Sequence, residues 1–211
     1  TAWECMFERL GISKRAEDNS GKSVLIIGGA GGVGSIAIQI AKKVAGLKVI
    51  ATASRDETVK WCKEMGADET IDHRKAFKDE FEAKGLPETD YILCFNSTEK
   101  HVLNMADVIR PQGRICTIVE TADDQPVNVN LFQLKSVGFM WELMFTRTIF
   151  QTEDMIEQHR LLNEASALFD AGALRSTLTV TYDEFSPESF KKAHALLEQG
   201  TCIGKIVIGG I

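Results

Sequence analysis

Histidine, cysteine, tyrosine and net positive charge are all in short supply in this chain. Four histidines among 211 residues, with no His-Glu-x-x-His and no clustered cysteines, offer no set of metal ligands at a recognisable spacing, and no metal is assigned to these residues. The five cysteines, Cys5, Cys62, Cys94, Cys116 and Cys202, are scattered and odd in number. That excludes a disulfide framework or a zinc ribbon and leaves most of them as small buried hydrophobes. The two tyrosines, Tyr91 and Tyr182, have no lysine four residues on, so no Tyr-x-x-x-Lys proton relay exists. Lysine and arginine total 24 against 30 aspartates and glutamates, a formal charge of -6. Such a balance argues against nucleic-acid and anionic-membrane partners, so any phosphate site must be local. No apolar run reaches the ~18 residues of a membrane span, and TAWECMFERL lacks a basic region with a hydrophobic signal core. A cytoplasmic location is the resulting expectation.

What the chain does have is glycine in one place. IIGGAGGVGSIAIQIAK puts five glycines between Gly28 and Gly34, after a short apolar run and before an amphipathic one. Gly29, Gly31 and Gly34 satisfy Gly-x-Gly-x-x-Gly in the strand-to-helix context that this pattern requires. In such a turn one glycine allows the tight bend, the next lets a pyrophosphate approach the backbone, and the third lets helix and strand pack closely. The helix N-terminus then offers free amides and a partial positive charge. A kinase-type phosphate loop is excluded, since no Gly-Lys-Ser/Thr follows.

Hydrophobic periodicity predicts a helix over Ala2–Leu10, strands at Ser23–Ile27, Lys48–Ala53, Thr70–Ile71, Tyr91–Phe95 and Arg114–Val119, and intervening helices at 35–44, 57–65, 77–84 and 102–109. Gly66 reads as a left-handed helix cap. The alternation predicts an α/β, doubly wound parallel sheet with helices on both faces. Beyond it, a helix over Met155–Ala171, strands at Leu178–Thr181 and Lys205–Ile208 and a helix near Glu188–Glu198 do not extend the alternation.

A dinucleotide site carries a second mark about 20 residues on, at the end of the next strand, where a carboxylate holds the ribose hydroxyls of NAD. Counting from Gly34 reaches Ser54 and Arg55 in ATASRDE. The carboxylate is absent, and a guanidinium that can grip phosphate with two parallel bonds stands beside the position. NADP is therefore favoured over NAD, with Arg55 as a solvated helix-start residue the plainer alternative.

These residues resemble a known family. GGAGGVGSIAIQIAK, ATASRDETVKWCKEMGAD, IDHR and GTCIGKIVI are similar to the medium-chain dehydrogenase/reductase superfamily, in its zinc-type alcohol dehydrogenase-like and quinone oxidoreductase branch. MFTRTIFQTEDMIEQHRLLNEASALFDAGALRSTL narrows the likeness to the zinc-type alcohol dehydrogenase-like proteins. The resemblance implies a Rossmann domain over 21–145, a junction helix and linker over 1–20, and over 146–211 a C-terminal remnant of a GroES-like catalytic domain whose N-terminal part is missing. It further implies that Gly29, Gly31, Gly32, Val33 and Gly34 form the pyrophosphate loop, and that Ser54, Arg55 and His73 border the adenosine ribose phosphate. Phe95 and Asn96 match the lip over the pyrophosphate and nicotinamide ribose, Val119 and Glu120 the strand end that meets the carboxamide, and Gly204 and Lys205 the loop closing on the cofactor. Catalytic residues stay unassigned. Zinc is uncertain in the branch and is not expected on this chain.

The expected activity is NADPH-dependent hydride transfer to a quinone, enone or carbonyl, the alternative being an NADPH-binding module or sensor without turnover; the truncated chain is expected to be inactive. Trp141, Phe145 and Arg147 are the local substrate candidates. Phe139, Trp141, Leu143 and Phe145 alternate with Met140, Glu142 and Met144, which fits a core strand or an edge strand; the resemblance favours homodimer pairing through Val137–Phe145. His159 and His194 read as solvated or helix-packing residues rather than catalytic ones, and His101, beside Glu99 and Lys100, as a surface residue. A short-chain dehydrogenase is excluded by the missing tyrosine–lysine relay.

Overall fold

The computed structural model describes residues 1–122 and 124–210; Asp123 and Ile211, which fall within the expected segments 21–145 and 146–211, lie outside the described residues. Six strands form one parallel sheet: β1 (Ser23–Ile27), β2 (Lys48–Thr52), β3 (Glu69–Ile71), β4 (Thr89–Cys94), β5 (Ile109–Thr117) and β6 (Gly138–Trp141). Their spatial order is 3-2-1-4-5-6, so the winding direction reverses between β1 and β4, where an open α/β sheet leaves a crevice at its carboxyl end.

Side chains alternate across the pleat and so divide the interior in two. Val24, Ile26, Val49, Ala51, Leu93 and Cys116 face a core closed by α1 (Gly32–Lys43), α2 (Asp56–Met65) and the N-terminal segment. Leu25, Ile27, Ile50, Ile92 and Ile115 face the other core, closed by α3 (Phe77–Ala83) and α4 (Thr98–Val108). All of β1 is buried, which explains why its sequence is an unbroken apolar run rather than an alternating one. The predicted strands and helices recur with ends shifted by a few residues, and Gly66 ends α2 with φ +117, the cap expected of it.

The N-terminal helix is present but wider in its turns, with Glu4–Arg9 forming a π-helix that packs Cys5, Met6 and Leu10 into the first core. Four cysteines are buried and Cys202 is half-buried; burial pushes the thiols of Cys62 and Cys94 up to about 12 and about 11, which keeps them unreactive. One expectation fails. The aromatic alternation does not run to Phe145: β6 is the edge strand, one of the two expected alternatives, but it ends at Trp141, its last ladder bond running from the Glu142 amide to the Thr117 carbonyl at 2.9 Å. Phe139 stacks on Phe132 with ring centres 5.6 Å apart, while Trp141, Leu143 and Phe145 are exposed.

After β6 come a short helix α5 (Thr146–Phe150), which the periodicity does not reveal, and α6 (Ile156–Asp170). β7 (Leu178–Tyr182), α7 (Pro187–Glu198) and β8 (Lys205–Ile208) follow, and β7 and β8 pair with each other in parallel as a separate two-stranded sheet. Arg147 in α5 ties this region to the N-terminus. Its guanidinium meets Glu4, Glu8 at 3.6 Å and Asp154 at 3.0 Å, with the Arg147 and Glu4 side chains only 6% and 4% exposed. Burial, and then the nearby Glu142 carboxylate, push the Glu4 carboxyl above its usual range.

Arg147→Ala should therefore lower stability by about 3 kcal/mol or more at pH 7, since it leaves a buried carboxylate without its cation. Protonating Glu4 relieves that charge, so the deficit should shrink between pH 7 and pH 5. Urea unfolding at both pH values checks this, and a deficit independent of pH would show that Glu4 is not the group left stranded.

Candidate functional site

The cavity opens at the carboxyl end of the sheet, over the turn between β1 and α1, and has a volume of about 370 Å³. That lies within the range of small-molecule pockets. Its floor is the glycine turn. Gly28 has φ +82, a conformation that suits glycine, and its amide donates to the Thr52 hydroxyl at 2.9 Å while its carbonyl accepts from the Gly31 amide at 3.1 Å. The Gly-x-Gly-x-x-Gly spacing starts at Gly29 and passes over Gly28, so the residue that makes the bend is one the motif does not count.

The motif glycines act by packing. A Cβ on Gly29 would lie 2.8 Å from the Ala51 Cβ and 3.1 Å from the Cys62 Sγ, and one on Gly34 would lie 2.7 Å from the Gly29 carbonyl oxygen. Gly34 thus lets the first turn of α1 close on the carbonyls of the preceding turn, and Gly29 lets that turn lie against β2 and α2. The amides of Gly32, Val33 and Gly34 open α1 and have no intrahelical acceptor, so they form an anion-binding end. The Lys205 side chain lies over Gly32, where a Cβ would come within 2.8 Å of the Lys205 Cδ and Nζ, bringing an ammonium to the same end.

Gly31, Gly32, Ser54, Arg55, His73, Phe95, Asn96 and Gly204 all line the cavity, so one space unites the first-, second-, third- and fourth-strand positions of the sequence reading with the C-terminal loop. Gly29, Val33 and Gly34 shape the turn beneath it. Val119 and Glu120 lie beyond the end of β5 and do not line it, nor do Trp141, Phe145 or Arg147. Arg147 is committed to its three carboxylates rather than offered to a substrate. Sequence reasoning missed Thr52, Thr58, Cys202 and His101.

His101 is a correction. Only 7% of it is exposed; it stacks on Phe77 with ring centres 5.5 Å apart and meets the His73 ring edge-on at 6.4 Å. Its charged sequence neighbours suggest a surface position, but on α4 it falls on the same face as Val102 and Met105, which the second core buries.

No carboxylate lines the cavity among the described residues, although the chain as a whole is acidic. Arg55 Nη2 donates to the Thr201 carbonyl at 2.8 Å, and its Nε lies 2.6 Å from a carboxylate oxygen of the exposed Glu57. Arg74 Nη2 donates to the Ser54 carbonyl at 3.0 Å and its guanidinium grips Asp72, holding that carboxyl at about 2. Burial lowers His73 and His101 below the usual imidazole value, with Arg74 and Arg55 acting in the same direction on His73 and His73 on His101, against the opposing pull of Asp72 and Glu99. Both rings are neutral at pH 7.

The C-terminal loop is fastened to the turn by its backbone. Gly204 (φ +62) donates its amide to the Ala30 carbonyl at 2.8 Å, and the Lys205 amide donates to Thr177 at 2.8 Å. Among the described residues no group of three or more His, Cys, Asp or Glu side chains is placed to hold a metal, so they do not fit a zinc site. The glycine cradle, the free amides and the carboxylate-free, arginine-bearing cavity do fit a dinucleotide phosphate.

Comparison with known proteins places this geometry in context. The sequence profile of the zinc-binding dehydrogenase family matches residues 32–164. A zinc-type alcohol dehydrogenase-like protein of Staphylococcus aureus is 46% identical over 208 residues, covering 99% of this chain and 61% of its own. A crystal structure from Rhizobium etli, provisionally assigned as a zinc-dependent alcohol dehydrogenase, superposes with a TM-score of 0.91 at 47% identity, over 100% of this chain and 60% of that one. A mouse mitochondrial NAD(P)H oxidoreductase is 30% identical over 221 residues, 99% of this chain and 52% of its own. The chain thus spans about three fifths of the length of the first two.

Gly204→Ala should loosen the loop from the turn, because a Cβ there would meet the Thr177 carbonyl and lie 2.8 Å from the Thr179 Cγ2 at a strained φ. Amide exchange is expected to accelerate about tenfold or more at Gly204 and Lys205, given roughly 1–3 kcal/mol of strain, with β1, β2 and β4 unchanged. Unaltered protection would show that the contact does not hold the loop.

Proposed function

The chain belongs to the zinc-binding dehydrogenase family, and on that premise we propose that it binds NADPH and serves an oxidoreductase that delivers hydride to a quinone, enone or carbonyl. The observation that carries the reading is the placing of Arg55 and His73 in one carboxylate-free cavity with the glycine turn. An NAD site needs an acceptor for the ribose hydroxyls at the end of β2; here that position is Ser54, beside a guanidinium. The name of the mouse relative, an NAD(P)H oxidoreductase, supports the cofactor class.

The nicotinamide cofactor, when bound, supplies the hydride, and the protein supplies orientation and electrostatics. The Gly32, Val33 and Gly34 amides and the Lys205 ammonium receive the pyrophosphate. Arg55 and His73 receive the 2′-phosphate, with Arg74 fixing the Ser54 carbonyl and therefore the course of the chain at that point. Phe95 and Asn96 close the side of the cavity at the end of β4.

Arg55→Ala should raise the Kd for NADPH about tenfold or more, the usual worth of a charge-assisted phosphate contact. The Kd for NADH should change less than twofold. Fluorescence titration of the reduced cofactor checks both, and equal losses would remove the 2′-phosphate assignment.

A pH signature follows from His73. Its folded value lies below the ordinary one, and a dianionic phosphate beside it raises that value, so NADPH binding takes up a proton. The groups that face this ring are Asp72, Arg74, Arg55 and His101. Affinity for NADPH should therefore rise as pH falls from 8 to about 6.5, where the phosphate itself begins to protonate, while NADH affinity stays flat. His73→Gln should abolish the slope; a slope retained in that variant would assign the proton to another group.

A further inference from the structure

Arg55 belongs to two concavities. Its side chain lines the cavity over the glycine turn and also a shallower groove beside it, whose wall includes Glu57, Val180, Leu196 and Thr201. The two groups that hold its guanidinium are the Glu57 carboxylate, 2.6 Å from Nε, and the Thr201 carbonyl, 2.8 Å from Nη2. Both line the groove, and neither lines the cavity. The charged head of the one arginine that the cavity offers to a phosphate is therefore held from the groove side.

The two holds differ in kind. The Thr201 carbonyl is a neutral acceptor and leaves the positive charge of Arg55 uncompensated, whereas Glu57 cancels it. Yet the Glu57 contact has no direction: the Arg55 Nε–H, shielded from solvent, has no acceptor in line with it and makes no hydrogen bond. Such a pair keeps its Coulomb attraction and forgoes the aligned bonds that make a guanidinium contact strong. The Glu57 side chain is 59% exposed, so water receives the carboxylate when it lets go. A phosphate can present oxygens to Nε and a terminal nitrogen at once.

The backbone stays fixed through such an exchange. The Arg55 amide donates to the Thr58 hydroxyl at 3.1 Å, and that hydroxyl donates back to the Arg55 carbonyl at 2.7 Å. Trading the carboxylate for a phosphate is thus a turn of one side chain rather than the movement of a loop.

We propose that Glu57 is a specificity-determining residue that competes with the cofactor's 2′-phosphate for Arg55 and so limits how far NADPH is preferred over NADH. The assignment rests on reading the cavity as an NADPH site. A cofactor with a free 2′-hydroxyl brings no anion to exchange for the carboxylate, so Glu57 lowers affinity for the phosphorylated cofactor alone, by the fraction of time it occupies the guanidinium.

The test is fluorescence titration with NADPH and with NADH of the wild-type chain, Glu57→Gln, Arg55→Ala and the double variant, at one low ionic strength where the pair is least screened. Glu57→Gln should lower the Kd for NADPH about threefold, the worth of an exposed ion pair, and leave the Kd for NADH where it was. In the Arg55→Ala background the same substitution should give no gain, because nothing remains to compete for. An equal gain in both backgrounds would mean that Glu57 repels the phosphate directly, and would overturn the competition. Glu57 also stands in the first turn of α2, where an acidic side chain favours the helix; a lowered melting temperature in Glu57→Gln with an unchanged NADPH-to-NADH ratio would confine it to that role and overturn the proposal as well. A selective loss of NADPH affinity in Arg55→Ala without any gain in Glu57→Gln overturns this inference alone. Equal losses of both cofactors in Arg55→Ala, or a wild-type chain that binds neither, would remove the reading of the cavity, and this inference with it.

Discussion

The approach of α1 to the ends of β1 and β2 governs everything at this end of the sheet. It is set by two absences of a Cβ: at Gly34, which lets the helix close on the Gly28 and Gly29 carbonyls, and at Gly29, which lets the turn that feeds the helix lie against Ala51 of β2 and Cys62 of α2. Because those contacts are closer than any side chain permits, the helix starts at once after the turn and its first amides face the crevice rather than a loop of their own. The same closeness lets Thr52 hold the Gly28 amide, so the second strand positions the turn made by the first. The bend, the free amides of the helix end and their closeness to the end of β2 are consequences of this packing.

Electrostatics then decide what such a cradle can hold. The chain is acidic, and a helix N-terminus alone is worth only about 0.3–1 kcal/mol to an exposed anion. The local arrangement makes up for this by excluding carboxylates from the wall and by keeping cations already ordered. Asp72 fixes Arg74 and Arg74 fixes the Ser54 carbonyl, while the Thr201 carbonyl holds Arg55 from the opposite side. Glu57 is the counterweight: it neutralises Arg55 at 2.6 Å, but from a largely exposed position where solvent screens the pair. A phosphate can therefore compete for that guanidinium without stranding a buried charge.

The sheet and the turn were legible in the sequence because each has a period or a spacing that local physics enforces. β1 reads as an apolar run since both its faces are covered, and Gly66 reads as a cap since only a left-handed residue closes α2 there. Ser54 and Arg55 were found by counting, because the second strand must end one crossover after the turn. What escaped the reading depends on tertiary partners. Nothing in Glu99-Lys100-His101 announces that α3 will cover His101 with Phe77, and Thr52 acquires its role only through the Gly28 amide. Arg147 was read as a candidate for substrate, but Glu4, 143 residues earlier in the chain, claims it. The turn residue itself, Gly28, was hidden by the motif that led to it, since the spacing counts glycines needed for packing rather than the one needed for φ.

The binding end of α1 and the position of the C-terminal segment cannot vary independently. Near its middle, α1 holds that segment through Gln39, a buried side chain that accepts from the Arg175 amide at 2.9 Å and donates to the Arg175 carbonyl at 3.1 Å. At its last turn Lys43 reaches the Ala173 carbonyl at 2.8 Å, and ahead of its first turn the Ala30 carbonyl takes the Gly204 amide. Three contacts spaced along one rigid helix fix the segment from both sides of β7. On the proposed reading, an anion at the first amides of α1 would meet Lys205 and Gly204 already in place, so little ordering entropy would remain for it to offset. The Gly204 contact fastens the cavity side of the segment, and Gln39 and Lys43 fasten the side that leads into β7.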